Sequence, residues 1–500
     1  MSTDLTQNRD VAEPLLASPR PAAPAAPDAD RLPRETVRLL AVLLVGAFVV
    51  ILNETAMNVA LSRIMADLSV TERSAQWLTT GFMLTMAVVI PTSGWLLQRL
   101  STRQVFGLAM SLFSAGTLIA ALSFAFPLLL VGRVVQACGT AVMMPLMMTT
   151  VMTVVPNHIR GRIMGTITLV IACAPAIGPT LSGLILQFFA WRFVFVMVLP
   201  IALTILFLGL RLIPDLGPGR EARLDVVSLP LAAVGFGGLV YGLSLVGNTD
   251  APTWALPVVL VVGALALVAF GLRQVVLQRT DDALLDLRTF RVGEFSLAVV
   301  VMALVMLVLF GSIIATPLVL QQVLHTPPLE VGLLLLPGGL LMGLLGPVVG
   351  RLYDRIGPRW LAVPGGVAVA GAFAIFATIS PETQWWHLLV ANLVMSAGLA
   401  FMMTPLFTVA LGSLPNHLIS YGSAVVGTVQ QVAGAAGTAL FVTIMSTVAA
   451  SAGGTAEAAL ASGARVAFIT VGLVWLLAIA GSFFLRRPAD EAAAGIPAAH

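Results

Sequence analysis

The chain has no lysine at all, so its 26 basic residues are all arginine. This excludes a G-x-x-x-x-G-K-[ST] phosphate loop and any lysine Schiff base, and with them P-loop ATPases and imine-forming enzymes. Only two cysteines occur, Cys138 and Cys173, both inside apolar runs, so neither a disulfide framework nor a cysteine metal site is expected. The five histidines form no H-E-x-x-H pair, and no metal or other cofactor is expected. Charge is scarce as well: 10% of residues are charged, against about 25% in a typical soluble domain. A water-facing surface of ordinary polarity cannot be built from so little. The net charge of +3 reads as membrane topology, and no nucleic-acid partner is expected.

What the chain has in abundance is apolar sequence, with 58% of its residues hydrophobic. A membrane-spanning helix needs about 20 such residues in a row. The first apolar run, Val37 to Leu61, is too long and too late for a cleaved signal peptide. The runs divide into fourteen expected spans. Eight are 37–61, 75–97, 104–125, 128–154, 163–189, 192–213, 226–247 and 254–277. Six more are 295–323, 329–350, 360–379, 386–412, 421–449 and 465–485. An all-α polytopic membrane protein follows. With the N-terminus inside, only Arg63, Arg73, Arg192 and Arg465 fall outside and Arg133 within a span. The other twenty-one arginines lie in tails and inner loops, so both termini are expected in the cytoplasm of a cell whose plasma membrane the chain crosses.

The chain also repeats. Residues 139–158 read GTAVMMPLMMTTVMTVVPNH and residues 398–417 read GLAFMMTPLFTVALGSLPNH, eight of twenty positions agreeing at an offset of 259. GWLLQR from Gly94 and GRLYDR from Gly350 recur at an offset of 256. Near-equal offsets imply two homologous halves in one orientation, a known transporter plan. The expected division is a cytoplasmic tail 1–36, a six-helix bundle 37–213 and two inserted helices with a linker 214–294. A second six-helix bundle 295–485 and a cytoplasmic tail 486–500 complete it.

Several motifs carry chemistry. SGWLLQRLSTR and GPVVGRLYDRIGPR occupy short loops, with Gly94 and Gly350 allowing close helix approach. Gln98, Arg99, Asp354, Arg355 and Arg359 are their candidate gate residues; positively charged inner loops with packing glycines are the plainer reading. The second copy resembles the G-x-x-x-D-R-x-G-x-R loop of the major facilitator superfamily, while Gln98 replaces the usual aspartate in the first. In the fourth span Arg133, Gln136 and Thr140 share one helix face. A buried arginine costs at least ~2.5 kcal/mol, so it needs a carboxylate, a cavity or water, unless it snorkels to the interface. The stretch is similar to the family's R-x-x-Q-G pattern, whose arginine is linked to proton coupling. In LNETAMNVAL, Glu54 and Asn58 share a face flanked by Asn53. Either Glu54 exchanges protons or it forms a static pair with Arg133. This segment resembles the first span of drug exporters, closest to lincomycin-resistance types.

APAIGPTLSG in the fifth span resembles the antiporter motif G-x-x-x-G-P-x-x-G-G, with Ala174, Pro175, Gly178, Pro179, Ser182 and Gly183 at its positions. Within the family that motif favours export over import. Gln430 and Gln431 either bind substrate or bond between helices, and Met144 suits a pliable cavity wall. Asp225 and Glu330 read as helix-start carboxylates.

Together these features identify the chain as a member of the fourteen-helix drug:proton antiporter branch, with two six-helix bundles and two inserted helices. The resemblance implies proton-driven export by alternating access, with Glu54 and Arg133 coupling protons. Asn53, Asn58, Gln136, Met144, Gln430 and Gln431 would line the substrate cavity. The expected partners are a small-molecule substrate, protons and the lipid bilayer, with the chain acting as a monomer. Export of one endogenous metabolite, lipid or peptide is an alternative, and a non-transporting receptor or scaffold is another. Enzymatic chemistry finds no nucleophile–base pair or cofactor motif.

Overall fold

The computed structural model describes residues 32–214, 225–246, 252–453 and 455–487. Most of both expected tails therefore lies outside the described residues. Within them there are fourteen α-helices. The first six are α1 (Arg34–Leu68), α2 (Glu72–Arg99), α3 (Thr102–Ala121), α4 (Phe126–Val154), α5 (Arg160–Phe188) and α6 (Phe193–Leu212). Two follow as a pair, α7 (Ser228–Ser244) and α8 (Ala255–Leu277). The last six are α9 (Gly293–Gln322), α10 (Pro328–Ile356), α11 (Arg359–Phe376), α12 (Trp385–Gly412), α13 (Ile419–Ser451) and α14 (Ala456–Ser482).

Thirteen helices are long and apolar enough to cross a membrane, and α7, at 17 residues, is shorter. Counting α7, the fourteen helices run alternately, so the start of α1 and the end of α14 lie at one end, called here the terminal end; the other is the distal end. Hydropathy marks only the lipid-facing part of a helix, so several helices outrun their expected spans. The end of α1 is set by Ser69, in left-handed geometry at φ 51°, whose N–H bonds back to the Met65 carbonyl. α14 starts at a Thr455 side-chain cap, nine residues before the expected span. Arg63 and Arg465 thus lie in the distal turns of α1 and α14 and not in loops. Arg465 donates to the Ala377 carbonyl at the end of α11, which lets a helical arginine sit there.

The repeat is visible in the backbone. Identical short 3-10 turns, Asn157–Ile159 and Asn416–Leu418, lead into α5 and α13. Helices α1 to α6 pack among themselves, as do α9 to α14. The two bundles meet along antiparallel pairs, α5 with α10 and α2 with α13. The α5–α10 seam is close because glycines face each other. A Cβ on Gly165 would lie 2.2 Å from the Gly346 carbonyl oxygen, and one on Gly350 2.2 Å from that of Gly161. α7 lies against α2 and α13, with α8 packed on α7.

Candidate functional site

Arg133 sits on α4 at 1% exposure, far from any snorkelling position. Its Nη1 donates to Gln136 Oε1 at 2.6 Å. Gln136 Nε2 donates in turn to Thr117 Oγ1 at 2.8 Å, and Thr117 donates to the Phe113 carbonyl at 2.7 Å. The guanidinium also lies over the Phe82 ring, 4.0 Å from its centre. Such a chain of bonds offsets part of the cost of burying the charge. On the distal side Met57, Ala60, Ile64, Leu129, Trp191 and Phe195 belong to one buried apolar cluster.

Glu54 is half-buried on α1. Its charge and that of Arg133 interact through space, and no hydrogen-bonded ion pair joins them among the described residues. Because α1 continues to Leu68, about 21 Å of helix lies beyond Glu54. Asn53 is buried at 1%, and neither its amide nitrogen nor its oxygen is hydrogen-bonded among the described residues. The Nε of Arg133 is likewise unbonded. The Asn58 side chain lies outside the described residues.

Three of the antiporter-motif residues lie in close packing of α5. Ala174 and Ser182 are fully buried. A Cβ on Gly178 would meet Thr55 Oγ1 at 2.2 Å, so α5 and α1 touch there. Pro175 and Pro179 stand inside the helix without N–H groups to donate. A Cβ on Gly183 would meet nothing within 4 Å.

At the terminal end the two gate loops clasp opposite helix starts. Asp354 accepts hydrogen bonds from the main-chain N–H groups of Gly161 and Arg162, each at 2.9 Å. An anion there meets the positive end of the α5 dipole. In the counterpart, Gln98 Nε2 donates to the His417 carbonyl at 2.9 Å and to Ser420 Oγ at 2.7 Å. Ser420 stands 259 residues after Gly161, so the clasp is repeated while its charge is not. Gly94 faces Tyr421 and Ala424. Arg99 lies over Trp95, Arg359 over Phe483, and Arg355 is exposed. Two further bonds cross between the halves: Thr168 with Thr404 at 3.0 Å and Thr149 to Ser423 at 3.0 Å. The terminal end is closed.

Of the remaining cavity candidates, Gln430 and Gln431 point their amides at the sulfurs of Met302 and Met86, at 3.8 and 3.9 Å. Met144 is half-buried, whereas its neighbour Met143 belongs to the core. Asp225 does cap α7, accepting from the Ser228 N–H at 3.0 Å. It also takes both prongs of Arg273, at 2.6 and 2.7 Å. Sequence reasoning missed Thr117, Phe82 and the Thr168–Thr404 bond. A threonine inside an apolar span was a usable signal for Thr117; the others depend on which helices meet.

A family model described as Major Facilitator Superfamily matches residues 43–438. The chain belongs to that superfamily. It is 40% identical over 451 residues to the MFS-type transporter YcnB of Bacillus subtilis, covering 90% of this chain and 95% of that one. Lincomycin resistance protein LmrB of the same organism is 37% identical over 457 residues, covering 89% and 95%. The proton:xylose symporter XylE has a similar structure, with a TM-score of 0.63 at 16% identity over 90% of this chain and 96% of that one. At that identity only the fold is shared. The chain is a polytopic membrane transporter with the major facilitator fold.

Proposed function

We propose that this transporter exports drugs or other hydrophobic or cationic small molecules in exchange for protons. It acts as a monomer in the plasma membrane with both termini in the cytoplasm, driven by the proton gradient without a cofactor. The observation that carries this reading is the state of Glu54. It is a carboxylate within a spanning helix, inside the field of Arg133 but not tied to it by an ion pair. Arg133 is held by Gln136 and Phe82 instead. A carboxylate so placed can take up and lose a proton without breaking a salt bridge each time. The resemblance to a lincomycin resistance protein favours export, and the antiporter motif on α5 agrees with it.

In the cycle, residues 37–213 and 295–485 are the two moving halves. With the terminal end closed, as here, Glu54 takes a proton from outside. The clasps at Asp354 and Gln98 then part, the terminal end opens, and substrate capture beside Asn53, Asn58 and Gln136 accompanies proton loss. Return to the present state releases substrate outside. The deciding experiment is Glu54→Gln, which keeps size and hydrogen bonding but removes titration. Purified into proteoliposomes, the variant is expected to bind substrate yet show no accumulation under an imposed pH gradient. Gradient-driven accumulation by Glu54→Gln would remove Glu54 from the coupling role.

A further inference from the structure

The two gate clasps are unequal. Asp354 brings a carboxylate to the first turn of α5, whereas Gln98 reaches the start of α13 with neutral bonds only. The helix starts they address are counterparts, since Ser420 and Tyr421 stand 259 residues after Gly161 and Arg162. Each start is electropositive, because its first N–H groups have no partner within the helix. The start of α13 therefore receives no anion from its own clasp.

The segment joining α8 to α9 brings negative charge to that place. It is a folded segment, not a slack tether. Gln274 of α8, itself fully buried, accepts from the Leu284 and Leu285 N–H groups at 2.8 and 3.1 Å. Its amide donates to Ser228 Oγ at the start of α7, at 2.7 Å. Leu284 and Leu285 are buried in the main core. Asp286, 1% exposed, accepts from the Arg288 N–H and from Arg288 Nε, each at 2.8 Å. Arg288 Nη2 also meets Asp281 Oδ1 at 2.6 Å, with Asp281 in left-handed geometry at φ 56°. One guanidinium thus holds two carboxylates together, and the trio keeps a net negative charge.

This trio lies at the neutral clasp. Asp281, Asp286 and Arg288 line one small cleft together with Gln98, His417 and Tyr421. Its walls are the linker, the end of α2 and the start of α13. α7, to which Gln274 ties the linker, lies against α2 and α13 as well. Parting of Gln98 from the His417 carbonyl separates two walls of the cleft, so the linker cannot keep its contacts with both.

We infer that the linker between α8 and α9 is the charged bolt of the α2–α13 gate: Asp281 and Asp286 supply, opposite the start of α13, the anion that Gln98 lacks. Arg288 is the positioning residue that keeps the two carboxylates there against their mutual repulsion. The inserted helices thereby gain a part in the cycle, as the anchor of this bolt. The inference rests on the alternating-access cycle proposed above, and on nothing about what is exported.

Thr149 on α4 reports on this seam, because its hydroxyl meets Ser423 of α13 at 3.0 Å. The test uses the full chain in lipid nanodiscs, carrying Thr149→Cys with Cys138→Ala and Cys173→Ala, reacted with fluorescein-5-maleimide. Adding Asp281→Asn with Asp286→Asn keeps side-chain size but leaves Arg288 unopposed, and should raise the labelling rate about fivefold or more. Adding Gln98→Asp to that pair returns an anion to the clasp, and should bring the rate back to within about twofold of the starting protein. Loosened packing would not respond to that rescue. If the double variant yields no folded protein, Asp281→Asn alone, at the more exposed end of the trio, should raise the rate about twofold and be rescued in the same way. Unchanged labelling in the aspartate variants overturns the bolt, and so does a rise that Gln98→Asp does not lower. Asp354→Asn is run alongside: if it too leaves labelling unchanged, the alternating-access cycle falls with the bolt, and if it raises labelling, the bolt alone is judged.

Discussion

Replacing Asp354 with asparagine should open the terminal end. The carboxylate holds the first turn of α5 through two main-chain N–H groups at 2.9 Å. Asparagine keeps one acceptor oxygen, so one bond survives in neutral form. What is lost is one bond to a charged acceptor, worth ~1.5 to 3 kcal/mol when sheltered, and the attraction of an anion to a helix start, worth ~0.3 to 1 kcal/mol. Asp354 is only half-buried, so the lower part of that range applies, about 2 kcal/mol in all. If the open form makes no such bond, the closed-to-open ratio falls roughly 30-fold. Thr168 reports on this directly, because its hydroxyl meets Thr404 across the closed seam at 3.0 Å. Thr168→Cys should react about tenfold faster or more with a water-soluble maleimide at the terminal end once Asp354→Asn is added. Gln98→Ala, which loses only neutral bonds, should raise the rate less. Unchanged Thr168→Cys reactivity together with wild-type transport by Asp354→Asn would refute the clasp.

Other outcomes follow from the same geometry. Gly165→Leu places a side chain where the Gly346 carbonyl already lies 2.2 Å from the Cβ position. It should insert normally but lose transport, with Thr168→Cys permanently reactive from the terminal end. The Arg273 fork, desolvation partly opposing it, holds the Asp225 carboxyl well below the usual carboxylate range. A depressed pKa gives stability that is present above about pH 4, where an unfolded aspartate is ionised, and is lost as pH falls toward the folded value. Asp225→Asn should therefore cost about 1 to 2 kcal/mol in thermal melts at pH 7 after allowing for the exposed side of Arg273. Its deficit should shrink on acidification, and an equal deficit at pH 3 would argue against the ion pair. For orientation, a cysteine at Glu382 should react with a membrane-impermeant reagent from outside the cell, and cysteines at Ser101 and Asn416 should not. Outside labelling of the latter two would reverse the proposed topology.

Much of this was legible in composition and pattern alone. Ten per cent charge cannot clothe a soluble fold of this length, so a membrane and a count of apolar runs followed directly. The repeat, with its offset of 259 residues, gave two equivalent halves, and the unpaired helices had to be the insert. Local chemistry was readable too. Arg133 and Gln136 lie three residues apart on one helix and do bond to each other, as helical geometry allows. Asp225 before an apolar run is a cap for the same local reason.

Tertiary structure decided whatever depended on which helices meet. No spacing within α4 could name Thr117 as the partner of Gln136 or Phe82 as the neighbour of Arg133, since they come from α3 and α2. The loop motif marked Asp354 as a candidate gate residue but named no partner for it; only the crossing of α10 over α5 supplied the Gly161 and Arg162 amides. Glycines at 165 and 183 look the same in a sequence. A Cβ on Gly165 would be pressed against the Gly346 carbonyl, whereas one on Gly183 would meet nothing within 4 Å. That difference depends on which helix stands opposite each glycine, and it is written in no single motif.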